Sequence, residues 1–171
     1  MSAQEEIKTC CVTGHRDIPA EQVEGVKRAL RREIEKAIAD GYTRFLSGFA
    51  EGADQYFAEI VAEKRKENNA LRLEAVIPYR NRYLKLLKDG CTKGLLDACT
   101  DFTFTSETYA PNVFSIRNRY MVDCSDRVIA VYDGRPKGGT VFTIRMAHVK
   151  RKELREIPVG LSLPNGGGLK T

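Results

Sequence analysis

Apolar positions come in short continuous runs separated by stretches in which they recur every three or four residues. "IKTCCV" (7–12) and "RVIAVYDG" (127–134) each hold such a run, Cys10–Val12 and Val128–Tyr132, and read as strands buried on both faces. Between them, "PAEQVEGVKRALRREIEKAIADG" (19–41) places Val23, Val26, Leu30, Ile34, Ala37 and Ile38 on one helical face. Pro19 suits its start and Gly41 its stop. "YTRFLSG" (42–48) reads as a second strand. "GADQYFAEIVAEKRKEN" (52–68) reads as a second helix, and "LRLEAVIPY" (71–79) as a third strand. Short helices over 82–90 and 91–99 precede a short fourth strand, "DFTFTS" (101–106). A helix over 112–126, the strand at 127–134, a helix over 138–154 and a last strand "IPVGLSL" (157–163) complete the pattern.

Strands that alternate with helices predict an α/β fold. It is Rossmann-like and doubly wound, with a mainly parallel sheet and helices on both faces. The expected strand order resembles 3-2-1-4-5, with the first strand inside and the fourth beyond it. The 171 residues suit one domain, assigned here to 1–163, with a flexible tail over 164–171. No apolar run approaches the length of a membrane helix, and "MSAQEEIK" holds no secretory h-region. A cytoplasmic protein with no membrane partner is expected.

In such sheets ligands bind beyond the carboxyl ends of the strands. Four strand ends carry chemistry: "TGHR" (13–16), "SGFAEGAD" (47–54), "PYR" (78–80) and "DGRPKGGT" (133–140). In the last, Gly138, Gly139 and Thr140 open a helix, so their amides and the dipole suit a phosphate, with Lys137 or Arg135 adding charge. A plain glycine turn capped by Thr140 is the alternative. Glu51 and Asp54 would repel a phosphate but suit a ribose diol; Asp54 complementing the helix dipole is the other reading. Thr13, Gly14, Ser47, Gly48, Gly52 and Arg80 complete the strand-end set. Arg16 is assigned to phosphate or base, His15 to hydrogen bonding or proton transfer, or both to a polar surface turn. Arg117 and Asn118 are polar interruptions of an apolar helix, in the site or in a structural hydrogen bond. Neither a dinucleotide nor a Walker A fingerprint is present.

Charge and cysteines narrow the picture. The net charge is +5, but most basic residues are interleaved with acids, as on solvated helix faces. No basic stripe with stacking aromatics is visible, so nucleic acid is not the expected partner. The five cysteines form no C-x-x-C pair and, with two histidines, give no metal spacing. They read as reduced, mostly buried thiols.

Together, "TGHR", "LSGFAEGADQYFAEIV", "VIPY" and "NRYMVDCSDRVIAVYDGRPKGGT" resemble the YpsA-like family of the SLOG superfamily, with LOG and DprA proteins as relatives. The resemblance runs from about residue 7 to about 163. It implies a Rossmann-like sheet and a site for a nucleotide or a nucleotide derivative, of NAD, ADP-ribose or nucleoside monophosphate type, with no further cofactor required. LOG relatives hydrolyse nucleoside monophosphates with a glutamate in P-G-G-x-G-T-x-x-E. Here "KGGTVFT" places Thr143 at that position, so the phosphate cradle stays and the expected catalytic carboxylate is missing. The first reading is therefore a binding or sensing domain. An N-glycosidase using Glu51 or Asp54 as catalytic residues is the alternative, and single-stranded DNA binding as in DprA a third. LOG-like relatives also imply a homodimer.

Overall fold

The structure is a computed structural model, and it describes residues 4–160. Six strands and six helices follow in the order β1 (Lys8–Gly14), α1 (Ala20–Ala39), β2 (Tyr42–Ser47), α2 (Ala53–Glu67), β3 (Arg72–Ile77), α3 (Arg80–Leu86), α4 (Gly90–Asp97), β4 (Asp101–Phe104), α5 (Val113–Cys124), β5 (Arg127–Tyr132), α6 (Gly139–Val149) and β6 (Glu153–Pro158). The strands form one sheet in the order β4-β3-β2-β1-β5-β6. All five pairings are parallel.

The continuous apolar runs explain why this sheet is covered on both faces. Cys10 and Cys11 are adjacent on β1, fully buried, and point into different cores. On one face, Leu30 and Ile34 of α1, Phe57 and Val61 of α2, Leu86 of α3 and Leu96 of α4 pack against Cys10, Phe45, Leu73 and Ile129. On the other, Met121 and Val122 of α5 and Met146 and Ala147 of α6 pack against Cys11, Leu46, Val76 and Val128. Each fully buried side chain of this size contributes about 1.5–3 kcal/mol. Burial also pushes the Cys11 thiol up to about 12, which leaves it protonated and inert.

The order of strands departs from expectation in one respect. The first strand is inside, but the fourth strand lies at the far edge beside β3, and β5 takes the place beside β1. After β3 the chain steps outward once more before it returns. The reversal of direction therefore falls between β1 and β5, and a crevice opens there above the strand ends. The end of the chain also differs. α6 stops at Val149, and the last strand is Glu153–Pro158 rather than 157–163. Residues 161–163 of that expected strand and the expected tail 164–171 lie outside the described residues. No helix of the described residues is long and apolar enough to cross a membrane.

Candidate functional site

A cleft of about 450 Å³ sits over the carboxyl ends of β1 and β5. Its first wall is the turn after β1. Gly14 closes the strand, and the carbonyl of His15 accepts from the Ala53 amide at the start of α2, at 3.3 Å. Gly52 makes this approach possible. Its φ is +79°, and a Cβ there would lie 2.5 Å from the His15 carbonyl oxygen. The His15 ring is buried, and burial lowers its pKa. Its Nε2 accepts from the Asp133 amide at 3.1 Å, the bond of a neutral Nδ1–H ring. Asp133 Oδ1 lies 3.0 Å from the same nitrogen. Protonating Nε2 would thus exchange an amide contact for a carboxylate contact.

The second wall is α5. Its helical spacing turns Phe114, Arg117 and Asn118 toward the cleft. Arg117 is 6% exposed. Its Nη1 donates to the Gly48 carbonyl at 2.8 Å, and its Nε donates to Asn118 Oδ1 at 2.9 Å. The second bond fixes the Asn118 amide, leaving Nδ2 free to donate. That nitrogen lies 3.6 Å from where a Cβ on Gly139 would stand. Below Arg117 is Asp54, also 6% exposed, whose Oδ2 accepts from the Ala50 amide at 3.2 Å. Burial pushes Asp54 up to about 6, against the opposing pull of the Arg117 guanidinium and the Ala50 bond. Burial in turn lowers the pKa of Arg117.

The third wall is the start of α6. Gly138 is the N-cap residue with φ 116°, and no side chain caps the helix. The Phe142 amide is the first to find a helical carbonyl, that of Gly138. The amides of Gly139, Thr140 and Val141 point outward at the positive end of the helix dipole. Thr140 is buried in this wall. Thr143, one turn on, is 2% exposed and donates to the Gly139 carbonyl at 2.8 Å, so it is a helix-internal bond and does not line the cleft.

The loop between β5 and α6 carries its charges in an ordered way. Arg135 spans Asp133, at 2.6 Å, and Asp17, at 3.0 Å. Its bonds hold the Asp133 carboxyl at about 2. Arg135 lines the cleft but is neutralised by these two acids. Lys137 and Arg16 line it as exposed cations, and Arg16 lies 5.9 Å from the Phe114 ring centre.

The cleft brings together Thr13, Gly14, His15, Arg16, Asp54, Arg117, Asn118, Lys137, Gly138, Gly139 and Thr140, from four segments far apart in the chain. Five residues assigned from the sequence do not line it. Ser47 donates to the Asp54 carbonyl and accepts from the Phe49 amide, a bond pair that shapes the turn. Gly48 supports Arg117 from behind, and Gly52 packs on the β1 turn. Glu51 is exposed, outside the cleft. Arg80 turns away to Glu107, at 2.6 Å, and stacks on Phe104. Sequence reasoning missed Val12, Asp17, Ala50 and Phe114 as lining residues. Phe114 alone carried a signal, since it stands one helical turn before Arg117 and Asn118.

A family model, YpsA, described as the YspA SLOG family, matches residues 10–159. The chain belongs to this family. A UPF0398 protein of Bacillus pumilus (strain SAFR-032) is 29% identical over 156 residues, which cover 82% of each chain. A UPF0398 protein of Ligilactobacillus salivarius (strain UCC118) is 25% identical over 130 residues, 73% of this chain and 70% of that one. Among solved structures, the molybdenum cofactor carrier protein of Chlamydomonas reinhardtii superposes with a TM-score of 0.54 at 14% identity, over 88% of this chain and 76% of that chain. The X-ray structure of TM1055, a structural-genomics target, gives 0.53 at 15% identity, over 86% and 72%. These likenesses extend the Rossmann-like fold across distant sequences.

Proposed function

We propose that this protein binds or senses a phosphate-bearing nucleotide or nucleotide derivative in the cleft between β1 and β5. The observation that carries this reading is the uncapped start of α6, whose amides face a cleft with Asn118 Nδ2 and Thr140 on the same side. Such a cluster of donors meets no protein acceptor among the described residues and suits a phosphate. Asp54 lies apart from that cluster, between Ala50 and Arg117, and suits the hydroxyls of a sugar. The polarity of the cleft then matches a ribose phosphate laid along it.

A second reading rests on Asp54. A carboxyl pushed to about 6 beside a buried guanidinium has the character of a general acid or of a stabiliser of an oxocarbenium-like state. On this reading the protein would cleave a nucleotide N-glycosidic bond without a glutamate at position 143.

Both readings are tested by one experiment. AMP, ADP-ribose, NAD and adenosine are added to the full chain, and thermal stability and free-base release are measured in the same samples. A ligand at 100 times its Kd raises stability by about 2.7 kcal/mol. A shift for the phosphorylated compounds without base release supports binding. Base release that Asp54→Asn abolishes supports hydrolysis. No shift and no release with any of them would exclude both.

A further inference from the structure

The cleft has an open side next to Phe114, where three aromatic rings follow one another. Phe114 contacts Tyr79 edge to face with ring centres 6.4 Å apart, and Tyr79 contacts Tyr109 in the same way at 5.5 Å. Tyr79 is buried, whereas Tyr109 is 62% exposed. The row therefore leads from the cleft wall to an open ring on the segment between β4 and α5. The exposed ring offers a flat apolar face with a polar tip, a surface on which a base can stack.

The segment that carries Tyr109 is held firmly. Arg80 pairs with Glu107 through its guanidinium at 2.6 Å, and its amide donates to the Glu107 carbonyl at 3.5 Å. The Thr105 amide donates to the Ile77 carbonyl at 3.0 Å. These bonds pin both ends of the turn before Tyr109 to β3 and α3. A ring on a pinned turn can stack with little entropy to lose on binding.

Around the row the unpaired charge is positive, since Glu107 is already paired with Arg80. Arg16 lies over Phe114, and Arg117 lies over it too, at 5.7 Å. Arg82, one turn into α3 from Tyr79, adds to the positive field felt by Arg117. Neither Arg16 nor Arg82 forms an ion pair among the described residues. Aromatic rings among unpaired cations suit a ligand that carries a second ring beyond further phosphate. The sequence carries no basic stripe with stacking aromatics, and these rings meet the cations only in space. Phe114, Tyr79 and Tyr109 come from separate segments and meet only in the fold.

We propose that Tyr109, with Tyr79 and Phe114, forms a distal subsite that stacks the second ring of a dinucleotide whose pyrophosphate crosses Arg16 and Arg82. This deepens the nucleotide reading above and rests on it. The ligand class is a dinucleotide, with two bases joined through a pyrophosphate, and Tyr109 separates it from ligands with one base.

Calorimetric titration of the full chain with AMP, ADP-ribose, NAD and a short oligothymidylate tests this, using wild type, Tyr109→Ala and Tyr109→Phe. Tyr109→Ala is expected to weaken NAD about tenfold, the lower part of the range for base–aromatic stacking. It should leave AMP and ADP-ribose unchanged, since neither has a second base. Tyr109→Phe should restore NAD affinity. If AMP and ADP-ribose bind and NAD binds wild type and Tyr109→Ala equally, the distal subsite is wrong while the nucleotide reading stands. An equal loss for AMP and NAD also overturns it, because Tyr109 would then act on the cleft as a whole. A loss seen only with oligothymidylate replaces the dinucleotide with a single strand. Failure of all the small nucleotides to bind wild type removes the nucleotide reading, and the subsite with it.

Discussion

Arg117 and Gly48 define each other's position. The arginine donates to the Gly48 carbonyl at 2.8 Å, and a Cβ on residue 48 would lie 2.6 Å from the same Nη1 and 2.7 Å from Cζ. The guanidinium lies flat on a backbone that has no side chain. This joins α5, from one side of the strand reversal, to the end of β2 on the other.

Gly48→Ala is therefore expected to cost about 1–3 kcal/mol of stability, the usual cost of overpacking a filled site. It should also swing Arg117 away from Asn118 and weaken nucleotide binding. Arg117→Ala in the same background separates the two effects. With the guanidinium gone, Ala at 48 should cost far less, so the double mutant should be more stable than the two single losses add up to. Urea unfolding of the four proteins measures this, and strict additivity would show that the clash is not with Arg117.

Asp54 gives a prediction in pH. Its folded pKa, about 6, is above the ordinary 3.8, so the folded state holds its proton more tightly than the unfolded chain does. Stability then falls as pH rises from about 4 to about 6, by 1.36 kcal/mol per unit, and about 3 kcal/mol is lost by pH 7. Asp54→Asn removes this loss and can still accept from the Ala50 amide. Its stability advantage over wild type should be absent near pH 4 and reach about 3 kcal/mol by pH 7. Other carboxyls, such as Asp133, shift the opposite way, but they are common to both proteins and cancel in the difference. Parallel stability curves for the two proteins would refute a raised pKa at Asp54.

Most of the fold was legible because strands buried on both faces are apolar over their central residues, as Cys10–Val12 and Val128–Val131 are. β6 was misplaced because it is an edge strand with charges along it. Arg155 pairs with Glu33 and Glu153 pairs with Arg127, so its sequence, "ELREIP", lacks the apolar run that marks the inner strands. The place of β4 was not legible, since strand order depends on where a crossover lands and not on the strand's own residues. The glycine and charged residues after β1 and β5 were visible as strand ends. Phe114 stands one helical turn before Arg117 and Asn118, but that spacing alone does not tell a ring that faces a cleft from one that faces a core. Arg80 and Glu51 carried the right chemistry at a strand end but point elsewhere, which no spacing rule shows.

Charge on the cleft rim should act with opposite signs at two positions. Asp17 holds one arm of Arg135 at 3.0 Å, whereas Lys137 lines the cleft with no ion pair among the described residues. Asp17→Asn releases positive charge toward the cleft and should tighten AMP binding. Lys137→Gln should weaken it. Each effect is about 0.2–1 kcal/mol, the range of exposed charge pairs, and each should shrink in 1 M salt, where the screening length is about 3 Å. Titrations at low and high salt measure both. A change of the same sign at both positions would mean that Arg135 does not contribute to the field at the cleft.

Thr140 tests where the phosphate lies. Its side chain is buried in the wall formed by the start of α6, beside amides that no side chain caps. If a phosphate occupies that place, the Thr140 hydroxyl donates to it. Thr140→Ala should then weaken AMP by about 0.5–1.5 kcal/mol, or up to about 3 if the bond is charge-assisted. Adenosine, which has no phosphate, should bind Thr140→Ala and wild type alike. Asp54→Asn gives the complementary pattern. If the carboxylate accepts from the sugar hydroxyls, AMP and adenosine lose affinity equally, because both carry the diol. Calorimetric titration of the two ligands against the two variants fills a four-cell comparison in which only the Thr140→Ala and AMP cell depends on phosphate. Equal losses for AMP and adenosine on Thr140→Ala would make the hydroxyl a helix-end contact with no share in anion binding, and the uncapped amides of α6 would lose their proposed ligand.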